Sequence, residues 1–115
     1  MLGIPQELLI HSCMLMVYER GEVFGERVLK EEIRLSRVRV QLSRRVKADR
    51  KGYGYGVKGK LFYDCAASLP SEVDFLQDGC ESVILYRGRE YPVKSVGYIY
   101  DDVGLHHLEI ELGGG

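Results

Sequence analysis

The chain has 115 residues, of which 45% are hydrophobic and 29% charged, and its net charge is −1. This length fits one domain with a single modest core, and the balance excludes wholesale disorder. No stretch approaches the roughly 20 apolar residues of a membrane-spanning helix, and the N-terminus lacks the basic cluster and cleavage site of a signal peptide. We therefore expect one domain over residues 1–115 that does not cross a membrane by itself.

The charges are unevenly distributed along the chain. Residues 34–60 hold ten Lys/Arg and one acidic residue, for a net charge of +9. Residues 1–33 hold three basic and six acidic residues, and residues 61–115 hold three basic and ten acidic residues. A basic segment set against an acidic body favours head-to-tail contact with copies of the same chain, or contact with a polyanion.

The N-terminal region predicts a short turn followed by a strand. Residues 6–9 have room for one helical turn, after the extended conformation that Pro5 imposes on the residue before it. Residues 8–18 are apolar on both alternating sets, which is typical of a strand covered on two sides. A helix is the alternative, because Leu and Met are good helix formers. Residues 20–26 then supply turn chemistry between glycines.

A change of phase marks the next strand. Ile33 and Leu35 alternate with charged neighbours, and Val38 and Val40 do the same in the opposite phase. A strand that changes phase usually contains a bulge or a corner, which is how small barrels bend their strands. We therefore expect an irregularity at residues 36–37.

Residues 43–56 predict a long, exposed and flexible loop, because they hold five basic residues, three glycines and little apolar periodicity. Its glycines do not form a dinucleotide fingerprint, since no strand–turn–helix frame surrounds them. Basic residues interleaved with tyrosines suit contact with nucleic-acid phosphates and bases. The alternative is a solvated loop whose tyrosines pack on a neighbouring subunit. The candidate contact residues are Arg44, Arg45, Lys47, Arg50, Lys51, Tyr53 and Tyr55.

The second half of the chain predicts further strands. They are expected at residues 57–65, 82–86, 90–96 with a continuation to 100, and 105–112. The Arg87-Gly88-Arg89 stretch predicts the tip of a β-hairpin, and residues 113–115 a flexible tail. The whole pattern predicts a mainly β fold, a small six- to seven-stranded β-barrel with one long flexible loop and at most one short helical turn.

The cysteines and histidines do not predict a metal site or a cofactor. The three cysteines are odd in number, widely spaced and without a Cys-x-x-Cys pair, which indicates reduced thiols in a cytosol. His106 and His107 are adjacent, so on a strand they are expected to point to opposite faces and not to share an ion easily.

Nor does the sequence predict an enzyme. A nucleophilic cysteine needs a general base beside it, and nothing in the sequence places Cys65 next to His106. Cys65 is interpreted as a small core residue. The nucleophile elbow and the phosphate loop are both missing from the sequence, and Asp101-Asp102 lies in a turn, where Asp is favoured for local hydrogen bonds.

Four segments carry a resemblance to a known family, and they occur in the family's order: residues 4–12, 61–65, 88–96 and 105–109. Together they resemble the phage minor capsid proteins encoded between the portal and tail genes. Such proteins are similar to the head-completion, or stopper, subunits of long-tailed phages. The greatest similarity is to the version in defective, phage-like elements of Bacillus chromosomes. The resemblance covers nearly the whole chain.

The resemblance implies a β-barrel subunit that forms a ring of twelve copies below the portal and its adaptor. That ring would close the DNA-filled head and present a surface to a tail-completion or tail-tube protein. It would assemble in the bacterial host cytoplasm and end in the particle. Residues 43–56 would line or plug the channel, although they are more basic and richer in Gly-Tyr than in other members. The alternative function is a monomeric nucleic-acid-binding β-barrel module.

Overall fold

A computed structural model describes residues 5–22, 25–43 and 57–114 of the chain. One 3-10 turn, Gln6–Leu8, precedes six strands. The strands are β1 His11–Arg20, β2 Arg27–Leu42, β3 Val57–Asp64, β4 Cys80–Tyr86, β5 Arg89–Tyr100 and β6 Leu105–Gly113. No helix in these ranges is long and apolar enough to cross a membrane.

The six strands form a single sheet that closes on itself. Their order is β1-β2-β3-β6-β5-β4, with β4 hydrogen-bonded back to β1, and every neighbouring pair is antiparallel. The mainly β prediction with one short helical turn is confirmed. The choice of a strand rather than a helix for the first apolar run is confirmed as well.

The core fills the inside of the closed sheet. β1 buries one of its two alternating sets, Cys13, Leu15 and Val17, whereas Met14 and Met16 are only partly buried. The first strand is therefore covered mainly on one face, not on two as its sequence predicted. Fully buried aliphatic side chains come from five of the six strands, among them Leu15, Leu35, Leu61, Ile84 and Ile110.

The predicted irregularity in β2 is a bulge at Arg37. The register with β1 skips this residue, which has a positive φ of 54°. As a result Leu35 and Val38 both point into the core and are 0% exposed, although an odd number of peptide units separates them. The buried hydroxyl of Ser68 donates to the Arg37 carbonyl and accepts the Asp64 N–H at 2.8 Å, so it holds the bulge to the end of β3.

One end of the closed sheet is sealed by the connection between β3 and β4, residues 65–79. Phe75 from this connection is only 2% exposed and packs edge-on against Tyr63, with ring centroids 5.6 Å apart. Leu69 forms an antiparallel bridge with Ser36 of β2, with both backbone N–H groups donating. We call this end the sealed end.

Some boundaries differ from those that the sequence predicted. β2 begins at Arg27, six residues before Ile33, because its first half pairs with β1 although it is exposed. β5 begins at Arg89, so the hairpin loop has only two residues, Arg87 and Gly88. β6 continues through Gly113, which pairs with β3 and is buried rather than part of a flexible tail.

Candidate functional site: a basic mouth

The end opposite the sealed end is open and forms a cavity of about 590 Å³. β2 ends there, β3 begins there, and the β4–β5 hairpin turns there. Three cationic residues line this cavity, Lys58, Arg87 and Arg89, together with His11. No carboxylate belongs to the lining that the described ranges supply. We call these four residues and the cavity the basic mouth.

The basic mouth is also where the predicted loop is attached. The Ser43 N–H donates to the Lys58 carbonyl at 2.7 Å, just beyond the Leu42–Gly59 pair that ends the β2–β3 ladder. Ser43 directly precedes residues 44–56, and Lys58 lies two residues after them. Both ends of this segment are therefore attached at the mouth.

The β4–β5 hairpin projects arginines at the mouth. Arg87 and Gly88 have φ values of 51° and 77°, so both central residues of the loop are left-handed, as in a type I′ turn. The Arg87 guanidinium lies over the Tyr86 ring, 5.1 Å from its centroid. Glycine suits the second position, whereas an arginine at the first is held in a region that L residues rarely adopt.

His11 is neutral and contributes no charge to the mouth. The Val40 N–H donates to its Nδ1 at 2.9 Å, so the ring proton is on Nε2, and the ring meets Tyr86 edge-on at 5.5 Å. Burial lowers the pKa of His11, and the positive charges of Arg87 and Arg39 lower this pKa further. The positive charge of the mouth therefore comes from its lysine and arginines.

The seven residues that the sequence singled out for DNA or neighbour contact lie outside the described residues. They are Arg44, Arg45, Lys47, Arg50, Lys51, Tyr53 and Tyr55. Lys58, Arg87 and Arg89 were not among the candidates. Their signal in the sequence was their position at strand ends, which becomes informative only when the order of strands around the closed sheet is known.

The two adjacent histidines do not point apart as predicted. The Nδ1 atoms of His106 and His107 are 2.6 Å apart, which requires one to donate and the other to accept, and His107 Nε2 lies 3.1 Å from Glu109 Oε2. His107 is buried and His106 partly buried. Within residues 5–22, 25–43 and 57–114, no group of three or more potential ligands is placed to hold a metal ion.

Cys65 and His106, which the sequence could not place together, lie side by side. The Cys65 N–H donates to the His106 carbonyl at 3.1 Å, and both residues line a cleft of about 340 Å³ with Asp101. Burial raises the pKa of the Cys65 thiol, and the charge of Asp64 raises it further. A raised pKa favours the protonated thiol, whereas nucleophilic catalysis by cysteine requires the thiolate.

The thiol of Cys13 is also shifted away from the thiolate form. Burial raises the pKa of Cys13 to about 12. All three cysteines, Cys13, Cys65 and Cys80, are free. The cationic surface of the closed sheet is the basic mouth.

The comparison with known families identifies the class. The model of the minor capsid protein family matches residues 5–112, and the chain belongs to this family of phage structural proteins. Membership confirms the family that the sequence resembles and indicates a structural role in the virion. No curated protein and no solved structure matches the chain.

Proposed function

We propose that the chain is the subunit of a phage head–tail connector, a ring that closes the DNA-filled head and docks the tail. Membership of the minor capsid protein family supports a structural role. The observation that carries the more specific proposal is the basic mouth. Among the residues that the structure describes there, it has three cations and no carboxylate, and both attachment points of residues 44–56 lie on it. A surface of this kind can contact the phosphates of packaged DNA.

The charges of the subunit suit this arrangement. Residues 61–115 hold ten acidic and three basic residues, and two of these basic residues are Arg87 and Arg89 of the mouth, so the rest of this segment repels DNA. Each phosphate contact made by Lys58, Arg87 or Arg89 releases a counterion and adds to the salt dependence of binding. A ring repeats the mouth in every copy, so contacts that are weak in one subunit add up around the channel.

The proposed partners follow from this role. The chain contacts copies of itself in a ring of twelve, the portal and adaptor ring above, and a tail-completion or tail-tube protein below. Packaged double-stranded DNA lies in the channel. Assembly takes place in the host cytoplasm. Residues 44–56, with Arg44, Arg45, Lys47, Arg50 and Lys51, reach the DNA or the neighbouring subunit from the mouth.

The test removes charge from the mouth without disturbing the core. An Arg87→Gln/Arg89→Gln variant is compared with an Arg20→Gln/Arg34→Gln variant, which loses the same charge at exposed positions of the β1–β2 hairpin. Both should change the free energy of unfolding by less than about 0.5 kcal/mol, the usual range for exposed positions. Each variant then replaces the natural protein in a phage genome, and DNA-filled, tailed particles are counted.

We expect the mouth variant to lower the yield of such particles at least several-fold and the control variant to leave it unchanged. An equal yield from the mouth variant and the natural protein would refute a role of the mouth in DNA retention.

The basic mouth also favours the second candidate function, a monomeric module that binds nucleic acid. This candidate predicts that the isolated chain binds duplex DNA at physiological salt more tightly than the roughly 10⁻⁴ to 10⁻⁶ M of non-specific binding. The connector predicts binding no tighter than that range for the monomer. Titration of duplex DNA at several salt concentrations distinguishes the two.

A further inference from the structure

Two strands of the closed sheet have one edge that is only partly paired. β5 pairs with β4 only through residues 89–92, and residues 93–100 pair with β6 alone. In β2, residues 27–36 pair with β1 alone, apart from the bridge between Ser36 and Leu69. No other backbone partner of these two edges occurs in the part of the chain that the structure describes. An edge of this kind is a template for pairing with another strand.

The residues along the open edge of β5 are of the kind found in strands that are paired on both edges. Residues 95–100, Ser-Val-Gly-Tyr-Ile-Tyr, hold no charge and no proline and are rich in residues that favour strands. Tyr98 and Tyr100 are nevertheless 57% and 65% exposed. Proteins usually protect an open edge with lysine, proline or a covering segment, and an unprotected one of this composition tends to associate. The edge is therefore suited to a strand from another chain.

The open edge of β2 lies on the opposite side of the sheet. In the order β1-β2-β3-β6-β5-β4, two strands separate β2 from β5 in either direction. Three successive antiparallel pairings connect them, so β2 and β5 run antiparallel to each other. Rotating a second copy about an axis parallel to the strands brings its β2 beside the first copy's β5 in antiparallel orientation. Such a contact is head-to-tail and continues from copy to copy until a ring closes.

The elements that contain the two edges carry opposite net charge, although the edge segments 27–32 and 95–100 each sum to zero. The strand Arg27–Leu42 contains five basic and two acidic residues, and the hairpin Arg89–Gly113 contains two basic and five acidic residues. Contact between β2 and the β5–β6 hairpin therefore joins a net charge of +3 to one of −3. A contact between two β5 edges would instead bring like charges together.

We infer that neighbouring copies join by adding the β5 edge of one, residues 95–100, to the β2 edge of the next, residues 27–32. This inference rests on the ring of the proposed function and adds the surfaces that build it. Val28 and Leu29 of β2, each 44% exposed, are then covered by the neighbour, as are Tyr98 and Tyr100 of β5.

The test blocks each edge separately with lysine. The β5-blocked variant is Tyr98→Lys/Tyr100→Lys and the β2-blocked variant is Val28→Lys/Leu29→Lys. The control, Leu76→Lys/Val103→Lys, loses two apolar side chains that are exposed outside both edges. Circular dichroism confirms that each variant is folded. Sedimentation velocity up to about 1 mM, where contacts of only about 4 kcal/mol are visible, then measures association.

The natural protein and the control should associate, and each blocked variant alone should stay monomeric. A one-to-one mixture of the two blocked variants should give heterodimers, because each retains the edge that the other lacks, and growth should stop there. A natural protein that stays monomeric at about 1 mM would overturn the inference. Self-association of the β2-blocked variant alone would also overturn it, because it would indicate contact between two β5 edges.

The failure of this inference can be distinguished from the failure of the proposed function. The Arg87→Gln/Arg89→Gln variant leaves both edges intact. Normal association of this variant, together with an unchanged yield of DNA-filled particles, would refute the role of the mouth in DNA retention and leave the edge pairing in place.

Discussion

The two ends of the closed sheet differ in what fills them. At the sealed end, Phe75 and Ser68 from the β3–β4 connection are 2% exposed and complete the core. At the basic mouth, the buried core ends at Val40 and Tyr86, each 7% exposed, and charged residues lie beyond them. Side chains fill the interior of this six-stranded closed sheet. A polar surface can therefore form only at an end of the sheet, where the packed core stops.

This difference separates stability from binding. Substitutions at the sealed end should change the free energy of unfolding and leave the electrostatics of the mouth untouched. Substitutions at the mouth should change DNA retention and change the free energy of unfolding by about 1 kcal/mol or less. A substitution with large effects on both properties would contradict this separation between the two ends.

The largest expected effect is that of Phe75→Ala at the sealed end. The side chain is almost fully buried and meets the Tyr63 ring edge-on, so its removal leaves a cavity under the connection. We expect a loss of about 3–5 kcal/mol in the free energy of unfolding, measured by urea denaturation. The neighbouring Leu76 is 47% exposed, so Leu76→Ala serves as the control and should cost about 0.5 kcal/mol or less. Equal losses would show that the connection does not seal the core.

Ser68→Ala should have the next largest effect. The hydroxyl satisfies the Asp64 N–H and the Arg37 carbonyl, and both would be left without a partner in a buried region. We expect a loss of about 1–3 kcal/mol in the free energy of unfolding. Ser95→Ala removes a hydroxyl that donates to Glu111 at 2.7 Å in a partly buried site, and it should cost clearly less. A cost for Ser68→Ala no greater than that for Ser95→Ala would contradict this role of the hydroxyl.

The bulge that Ser68 supports shows what the sequence could predict. The change of phase between Leu35 and Val38 is a local pattern, and it predicted the irregularity at Arg37 correctly. The partner of that bulge lies 31 residues further along the chain, and no local pattern connects the two. Local turn chemistry likewise predicted the β4–β5 hairpin, whereas the pairing partners of each strand depend on the closure of the sheet.

The candidate site shows the same difference between local patterns, which the sequence predicts, and contacts that depend on the closure of the sheet. Charge density and glycine content singled out residues 43–56 as a basic loop, because these are properties of a continuous segment. Lys58, Arg87 and Arg89 come together only because the start of β3 and the turn of the β4–β5 hairpin lie at the same end of the closed sheet. The contact between Cys65 and His106 arises in the same way from the β3–β6 pairing.

Arg87→Asn should change stability and binding in opposite directions. Arg87 has a φ of 51° in the first loop position of the hairpin, and Asn followed by Gly is the preferred pair for this turn. We expect a gain of about 0.5–1 kcal/mol in the free energy of unfolding, since Asn tolerates the left-handed region better than Arg. The lost charge at the mouth should reduce the salt dependence of DNA binding by a slope of about 1. A loss of stability would contradict the assignment of the turn.

The smallest expected effect is a change in the pH dependence of stability at the mouth. Burial, Arg87 and Arg39 lower the pKa of His11 below its ordinary value of 6.5, so the folded protein binds this proton less readily than the unfolded chain. The stabilisation by neutral His11 is therefore complete above pH 6.5, falls as the pH drops below that value, and levels off below the folded pKa. His11→Asn removes the titration and can still accept the Val40 N–H through its side-chain oxygen.

Urea denaturation at several values from about pH 7.5 to pH 5, around the ordinary histidine pKa, should show a shallower decline for His11→Asn than for the natural protein. Asp101, whose pKa is lowered from 3.8 by hydrogen bonds from Val103 and Gly104, loses its contribution only at lower pH and does not obscure this window. Identical slopes would contradict the lowered pKa of His11. A shallower slope for His11→Asn would show that burial and the two nearby arginines together couple the protonation of this side chain to folding.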